Sequence, residues 1–289
     1  MTTLDFENDF AVFIISHGRP DNVITYNTLR KQGYEGKIFI LIDNLDETQN
    51  AYVENYGDEV VIFDKHEIAK TFDRGNNFAE MRSTSYPRNA NFEVAKGLGI
   101  KYFMQLDDDY TAFNYKYNDQ YKFCSSVRIK TLGNVWKAMC EYLEKTDAVT
   151  LCMSQEGDWI GGTNSGFHGP LHMKRKAMNS FLFKTDRPTQ FIGTLNEDVN
   201  TYVRHGFTGQ LFFTLNQIGL AQLPTQSNAG GMTDAYKANG TYIKSFYTVM
   251  YQPSSVKVHY TPSMKRLHHR ISWDKTVPKI LSEEHRKPR

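Results

Sequence analysis

Continuous apolar runs alternate with amphipathic segments through the first third of the chain. FAVFIIS at 10–16 and KIFILID at 37–43 are rich in β-branched and aromatic residues, which is typical of strands buried on both faces. NVITYNTLRKQG at 22–33 lies between them, with helical spacing of its apolar positions and a glycine at its end. This order predicts right-handed βαβ units and a mostly parallel sheet flanked by helices.

The same alternation continues to residue 110. EVVIFD at 59–64 is predicted as a strand, NANFEVAKGLG at 89–99 as a helix, and KYFMQLDDDY at 101–110 as a strand that ends in three aspartates. Residues 111–132 lack a clear period and are predicted as a loop. The first third therefore carries the clearest part of the pattern.

Further along the chain, elements and loops are predicted with less regularity. NVWKAMCEYLEK, NEDVNTYVRHG and KSFYTVMYQP are predicted helices, and DAVTLCMS, FLFKTDRPTQF, FTGQLFFTLNQIGL and SSVKVHY are predicted strands. GDWIGGTNSGFHGP, at 157–170, is long and glycine-rich, which indicates either a functional lid or a disordered insert. Residues 224–240 are predicted to be mobile.

Polar residues follow several of the predicted strands. SHGRP follows the first strand, Asp43 and Asn44 follow the second, and Asp107–Asp109 follow the fourth. Because ligands bind at the carboxyl ends of parallel strands, these groups are expected to line one crevice. Neither a Walker phosphate loop nor a GxGxxG fingerprint is present, which argues against P-loop kinases and dehydrogenases.

The three adjacent carboxylates at 107–109 need an explanation. Ordinary turn chemistry uses one Asp, and three neighbouring anions repel one another unless a positive charge lies between them. A hard divalent cation, Mg²⁺ or Mn²⁺, is one partner that oxygen ligands favour. The alternative is a capped turn whose carboxylates are solvated.

Composition and charge narrow the classes of protein. The chain has 289 residues, 40% of them hydrophobic, which suits one large α/β domain or two small ones. Residues 1–110 hold 11 Lys+Arg against 19 Asp+Glu, and the remainder holds 23 against 13, so a charge of −8 is followed by +10. The basic part suits an anionic partner such as a nucleic acid, although a solubilising tail is the alternative.

The sequence contains no feature that predicts membrane insertion or export. No run of eighteen uncharged apolar residues occurs, and the acidic start MTTLDFENDF is unlike a signal peptide. We therefore expect a soluble, cytoplasmic protein without a membrane partner. The three cysteines are widely spaced, which favours reduced thiols.

The segment MRSTSYPRNANFEVAKGLGIKYFMQLDDDY, with an Arg-Asn pair at a helix start and a D-x-D after a strand, resembles the donor-binding half of glycosyltransferases with the GT-A fold. The resemblance implies a GT-A type α/β fold and a divalent cation that bridges the diphosphate of a nucleotide-sugar. It implies a set of donor-binding residues: His17, Arg19, Asp43, Arg88, Asn89, Asp107 and Asp108. It implies three metal ligands: Asp107, Asp109 and His259.

A second acidic element follows in FIGTLNEDVNTYVRHG, which resembles the family's helix start that faces the acceptor. The resemblance implies that Asp198 is the general base, with Glu197 as the second choice. Ordinary helix capping remains the alternative for both, because acidic residues are common in the first turn of a helix.

Together with SHGRP, these segments look most like the phage TET/JBP-associated glycosyltransferases. That resemblance implies transfer of arabinose or glucose from a UDP-sugar to 5-hydroxymethylcytosine in DNA, by a catalytic domain at 1–260 with a basic extension at 261–289. The basic and aromatic residues expected to hold the acceptor are Lys174, Arg175, Lys265, Arg266, His268, Arg270 and Trp273. A polysaccharide or protein acceptor, or an inactive nucleotide-sugar or DNA-binding module, are the alternatives.

Overall fold

The structure is a computed structural model that describes residues 4–75, 77, 79–165, 168, 176–223, 232–262 and 265–276, with the backbone only for 232–241. The helices are α1 Phe6–Asp9, α2 Ile24–Lys31, α3 Gln49–Tyr56, α4 Lys65–Ala69, α5 Ser85–Gly97, α6 Leu132–Glu144, α7 Glu197–Phe207 and α8 Met232–Tyr251. The strands are β1 Phe10–Ile15, β2 Lys37–Asp43, β3 Val60–Phe63, β4 Tyr102–Asp107, β5 Tyr110–Tyr117, β6 Phe123–Arg128, β7 Ala148–Gln155, β8 Ser180–Lys184, β9 Leu211–Gln222, β10 Val256–Thr261 and β11 Arg266–Ile271.

Nine strands form one mixed sheet in the order β3-β2-β1-β4-β8-β7-β9-β5-β6. Strands β3, β2, β1 and β4 are parallel, β8 is antiparallel to both of its neighbours, and β7 and β9 are parallel again. Only β8 and β5 run against the other strands of this sheet, so the predicted mostly parallel α/β class is confirmed.

Helices cover both faces of the sheet because its central strands are apolar on both faces. Along β1, Phe10, Val12 and Ile14 enter one buried cluster, whereas Ala11 and Phe13 enter the other. Helix α6 packs on the first cluster, and α5 and α7 pack on the second. The alternation follows from the period of two along a strand, and burial on both sides accounts for the unbroken apolar run.

Residues 111–132, predicted as a loop, form most of β5 and all of β6, so that prediction is wrong. Strand β6 pairs only with β5 at the edge of the sheet, and four of its six residues are exposed. A strand with no deeply buried face has no need of alternating apolar residues. The alternation of apolar and polar residues that identifies a strand is therefore weak in β6.

The residues that the structure describes beyond β9, 232–262 and 265–276, pack on the sheet domain. Residues 232–240, within the segment predicted to be mobile, belong to helix α8. Strands β10 and β11 form an antiparallel hairpin against α8, and this pairing runs across the predicted domain boundary between 260 and 261. The division into a catalytic domain at 1–260 and a basic extension at 261–289 stays a prediction. Among the residues described, no helix has both the length and the apolar character that crossing a bilayer requires.

Candidate active site

The acidic turn after β4 is fixed by the first turn of α2. Thr25 Oγ1 donates to the carbonyl of Asp107 at 2.6 Å, and the same oxygen accepts the backbone N–H of Tyr110 at 2.9 Å. The backbone N–H of Thr25 donates to the carbonyl of Asp108 at 3.0 Å. Three hydrogen bonds to one threonine thus hold the backbone of the turn and set the directions of its carboxylates.

Arg88 joins the first of these carboxylates to the second acidic element. Its Nη2 donates to Asp107 Oδ1 at 2.9 Å and its Nε donates to Glu197 Oε1 at 3.2 Å. Its Nη1 lies 2.9 Å from the Gln105 side-chain oxygen when that amide is oriented to accept. The Arg88 side chain is 1% exposed and packs over Phe181. Arg88, predicted to bind the donor, contacts the carboxylates of Asp107 and Glu197 in this structure.

Burial nevertheless has the largest effect on the pKa of Asp107. Loss of hydration raises the pKa of the Asp107 carboxyl, and the charges of Glu197 and Asp108 raise it further, against the lowering effect of Arg88. The same two partners, Asp107 and Glu197, raise the pKa of Arg88 although burial alone would lower it. The cluster is therefore poor in positive charge relative to its carboxylates.

Asp108 points to a different set of partners. Ser16 Oγ donates to its Oδ2 at 2.6 Å and Arg19 Nη1 donates to its Oδ1 at 3.2 Å. Tyr52 places its hydroxyl 2.7 Å from Ser16 Oγ and accepts the backbone N–H of Arg19 at 3.0 Å. Arg19, with 28% of its side chain exposed, is the accessible cation beside the acidic turn.

Asp109 is the carboxylate that lacks a neutralising partner. Among the described residues no basic side chain forms an ion pair with it. Burial raises the pKa of its carboxyl to about 7, and the charges of Asp107 and Asp108 act in the same direction. Such a carboxylate, at the mouth of a parallel sheet, gains stability from any added cation.

A second polar cluster lies at the ends of β1 and β2. His17 Nδ1 is 2.9 Å from Asp43 Oδ2, which also accepts from Lys65 Nζ at 3.0 Å. Asp46 Oδ2 accepts the backbone N–H of Gly18 at 2.7 Å and lies 3.5 Å from His17. The hydrogen bond to Asp43 raises the pKa of His17. Burial alone would raise the pKa of Asp43, but His17 and Lys65 lower it.

Asn89, predicted to bind the donor, has a structural role here. Its side-chain amide donates to the carbonyl of Phe191 at 3.0 Å and accepts the N–H of the same residue at 2.8 Å. This pair of bonds ties α5 to the segment that leads to α7. These two bonds account for the position of Asn89, and its binding of the donor stays a prediction.

The two acidic residues at the start of α7 differ in their environments. Glu197 Oε1 accepts from Arg88 and from Thr84 Oγ1, so its position is fixed by two donors. Asp198 accepts only the N–H of Val199, at 2.7 Å, among the bonds of the described residues. Burial raises the pKa of Asp198 to about 6, and Glu197 contributes to the rise. Asp198 is therefore the better base of the pair.

Two carboxylates at the β4 turn fit a divalent cation, but the third predicted ligand does not join them. Asp109 and Asp107 supply the hard oxygen donors that Mg²⁺ and Mn²⁺ favour, and burial leaves Asp109 short of positive charge. No group of three His, Cys, Asp or Glu side chains with metal-site geometry occurs among the described residues. His259 lies exposed on β10, directly opposite His268. The prediction that His259 completes this site is corrected.

The predicted acceptor-binding residues divide into two groups. Lys174 and Arg175 lie outside the described residues. The others that were predicted lie on or beside the β10–β11 hairpin: Lys265, Arg266, His268, Arg270 and Trp273.

This hairpin is attached to the acidic helix. Trp273 stacks on Tyr202 of α7 with ring centroids 5.8 Å apart, and His269 Nδ1 lies 3.3 Å from Asn196 Nδ2, next to Glu197.

Several residues that complete the site were not predicted from the sequence. They are Ser16, Thr25, Asp46, Tyr52, Lys65, Thr84 and Gln105. Ser16 belongs to SHGRP and Asp46 follows Asp43 closely, so their positions gave a usable signal. Of the other five, four lie in helices or strands and Thr84 immediately precedes α5, and only the tertiary structure brings them to the site.

The sheet and its acidic crevice define an α/β protein of the GT-A type. The chain belongs to the TET-associated glycosyltransferase family, whose model matches residues 10–231. No protein of curated function has a significantly similar sequence.

Two solved structures are among those that are similar to this chain. S. aureus TarS 1-349 in complex with UDP-GlcNAc has 12% identity and a TM-score of 0.41, over 83% of this chain and 66% of that chain. The mannosyltransferase PcManGT from Pyrobaculum calidifontis, in complex with GDP-Man and Mn²⁺, has 12% identity and a TM-score of 0.44, over 76% of this chain and 58% of that chain. The chain thus spans less than two thirds of the length of either protein.

Proposed function

We propose that the protein transfers a sugar, arabinose or glucose, from a UDP-sugar to 5-hydroxymethylcytosine in phage DNA, with Mn²⁺ or Mg²⁺ as cofactor. Membership of the TET-associated glycosyltransferase family supports the reaction class. The observation that carries the proposal is the buried acidic turn, where Asp109 lacks a described cationic partner although Asp107 and Asp108 each have one.

The donor fits the two polar clusters at the strand ends. Arg19 is accessible beside the acidic turn and suits an oxygen of the diphosphate, while His17 and Asp43 offer a polar edge for the uracil base. Asp107 and Asp109 would hold the cation together with diphosphate oxygens, which explains why two protein ligands are enough. The bound cation would neutralise the charge that develops on the leaving diphosphate.

The acceptor oxygen is expected to attack the anomeric carbon as the bond from that carbon to the diphosphate breaks. Asp198 accepts the proton of the attacking hydroxyl group, and its raised pKa makes it a stronger base than an ordinary aspartate. Glu197 keeps Arg88 and Asp107 in place. In this proposal Lys265, Arg266, His268, Arg270 and Trp273 contact the flanking DNA.

The test is a mass measurement on synthetic oligonucleotides of identical sequence, with 5-hydroxymethylcytosine or cytosine at one position. With Mn²⁺ and the correct UDP-sugar, the modified strand gains the mass of one sugar and the unmodified strand gains none. Asp198→Asn keeps the shape of the side chain but removes the base, so its rate of transfer is expected to fall about 10²-fold or more.

Two outcomes contradict the proposal. Equal labelling of both oligonucleotides would refute the hydroxymethyl group as acceptor. Hydrolysis of the UDP-sugar without labelling of either strand would favour a polysaccharide or protein acceptor, and absence of both hydrolysis and labelling across a UDP-sugar panel would favour an inactive binding module.

A further inference from the structure

The β10–β11 hairpin has two chemically different faces. Residues directly opposite in an antiparallel pair share a face, and so do residues two apart along a strand. Lys257 and Arg270 form one such pair, His259 and His268 the next, and Arg266 lies further along the same face. On the other face Val256 and Ile271 pack into the core. The charged face is therefore turned away from the domain.

A pocket with a volume of about 490 Å³ lies at the base of this hairpin. It lies between the turn that precedes β10 and the turn that follows β11. Its polar, charged and aromatic lining includes Ser255, Lys257, Arg270, Trp273, Asp274 and Lys275.

The charges around the pocket are not balanced among the described residues. Lys257, Arg270 and Lys275 are exposed, and none of them forms an ion pair with a described acidic side chain. Asp274 is the one described acid in the lining, and its Oδ1 already accepts from Ser272 Oγ at 2.6 Å. Cations placed directly opposite each other on a hairpin, as Lys257 and Arg270 are, repel unless an anion lies between them.

A buried hydroxyl group points to a ligand independently of these charges. Ser255 is 4% exposed, and its Oγ has no hydrogen-bond partner in the structure. Leaving a buried hydroxyl unpaired is costly, and such groups in proteins are normally satisfied. Ser255 is one of the residues that line the pocket, so its unpaired hydroxyl belongs to the same site as the charged groups.

We propose that this pocket holds a backbone phosphate of a nucleic acid, bound by Ser255, Lys257, Arg270 and Lys275. The inference rests on the proposed DNA acceptor and assigns the place where the strand is gripped. A polymer is favoured over a single free phosphate because the positive charge continues from the pocket along β11. Arg266 and Arg270 are four residues apart on one face, which corresponds to about 14 Å. That length equals the axial rise of about four base pairs of a duplex.

The first experiment measures binding of a fluorescein-labelled duplex by anisotropy at several salt concentrations. Each neutralised phosphate contributes about −0.9 to the slope of log K against log[salt]. Lys257→Ala/Lys275→Ala removes two cations from the pocket, so the slope is expected to become shallower by about 1.8 if each lysine neutralises one phosphate. The matched control, Lys96→Ala/Lys137→Ala, removes two exposed lysines from α5 and α6 and is expected to leave the slope unchanged.

The second experiment uses Ser255→Ala, for which stability and binding are expected to change in opposite directions. Removing an unpaired buried hydroxyl is expected to leave the unfolding midpoint unchanged or raise it. The affinity for the duplex is expected to fall about tenfold, because a hydrogen bond to a charged oxygen is lost, while the salt slope stays as in the wild type. A merely structural serine would lower the midpoint and leave the affinity unchanged.

The outcomes separate this proposal from the proposed function. An unchanged slope in Lys257→Ala/Lys275→Ala, an equal loss in the control variant, or wild-type protein that binds no duplex would overturn the phosphate pocket. In a competition arm, inorganic phosphate at millimolar concentration is compared with unlabelled duplex as a competitor of the labelled duplex. If inorganic phosphate displaces the labelled duplex as well as the unlabelled duplex does, the pocket is a site for free phosphate instead. A wild type that shows the expected slopes but labels no 5-hydroxymethylcytosine would leave the pocket intact and refute the DNA glycosyltransferase assignment.

Discussion

Removal of the Arg88 guanidinium is expected to destabilise the protein more than removal of any exposed cation. In Arg88→Met the side chain keeps most of its length, but Asp107 and Glu197 lose the charge that lies 2.9 and 3.2 Å from them. Breaking a buried ion pair by removing one partner costs about 3–5 kcal/mol, because the other charge stays buried and uncompensated. Domains are typically stable by about 5–15 kcal/mol, so the loss is a large part of the total.

The assay is urea unfolding followed by circular dichroism, with four further variants, one of which is Glu197→Gln alone. Arg88→Lys keeps a charge but presents one ammonium instead of a planar fork, so an intermediate loss is expected. Arg88→Met/Glu197→Gln removes one of the stranded carboxylates and is expected to recover about 0.5–3 kcal/mol relative to the sum of the single variants. Lys70→Met breaks an exposed pair with Glu67 and is expected to cost about 0–1 kcal/mol.

The reasoning would be refuted by either of two results. A loss below about 1 kcal/mol in Arg88→Met would place the guanidinium in an environment where water screens it as well as it screens Lys70. Strict additivity of Arg88→Met and Glu197→Gln would mean that the two side chains do not interact energetically, despite the 3.2 Å between Nε and Oε1.

Two further predictions concern the metal and a buried histidine. Asp109→Asn is expected to abolish the Mn²⁺-dependent tightening of UDP binding in calorimetry while UDP binding without metal persists; unchanged tightening would contradict the assignment of Asp109. Burial, with His268, Lys244 and Lys176 nearby, lowers the pKa of His269 to about 3, so the unfolded state binds its proton first and stability falls as the pH drops below about 6.5. Urea unfolding of the wild type and of His269→Asn is measured from pH 7 to 4. The free energy of unfolding of the wild type relative to that of His269→Asn is expected to fall by at most about 1.4 kcal/mol per pH unit. An equal pH dependence of the two free energies would contradict the lowered pKa of His269.

The donor half of the fold was predictable because its physics is local. A strand buried on both faces must be apolar along most of its length, and residues 10–15, 38–42 and 102–106 are, apart from Gln105. The carboxyl ends of parallel strands meet, so the sequence correctly predicted that Asp43 and the acidic turn share one edge of the sheet. Strand β6 escaped prediction because it is an exposed edge strand.

The partners within the site were not predictable because they depend on long-range packing. Glu197 is 109 residues from Arg88, and no local period connects them. The sequence also suggested that Arg88 faces the diphosphate, since a cation at a helix start is unfavourable without a function. In the structure, the contacts of Arg88 with the carboxylates of Asp107 and Glu197 explain why a cation is present at the start of α5.

The late histidines show how strand register decides between similar residues. His259, His268 and His269 are equivalent by composition, and the resemblance favoured His259. In the antiparallel pairing, His259 and His268 share the outward face, while His269 opposes Val258 on the other. A one-residue difference in register is therefore enough to send one imidazole toward Asn196 and the other toward solvent.

The Arg88 bridge gives the two acidic elements a fixed relation. Asp107 ends the strand whose turn carries Asp109, and Glu197 immediately precedes Asp198. One rigid guanidinium contacts both Asp107 and Glu197, so the donor turn and the acceptor-facing helix cannot shift independently without breaking a buried charge contact. Transfer requires the attacking oxygen, its base and the anomeric carbon to be aligned closely. If the proposed roles of Asp109 and Asp198 hold, the buried arginine between the elements that carry them would maintain that alignment.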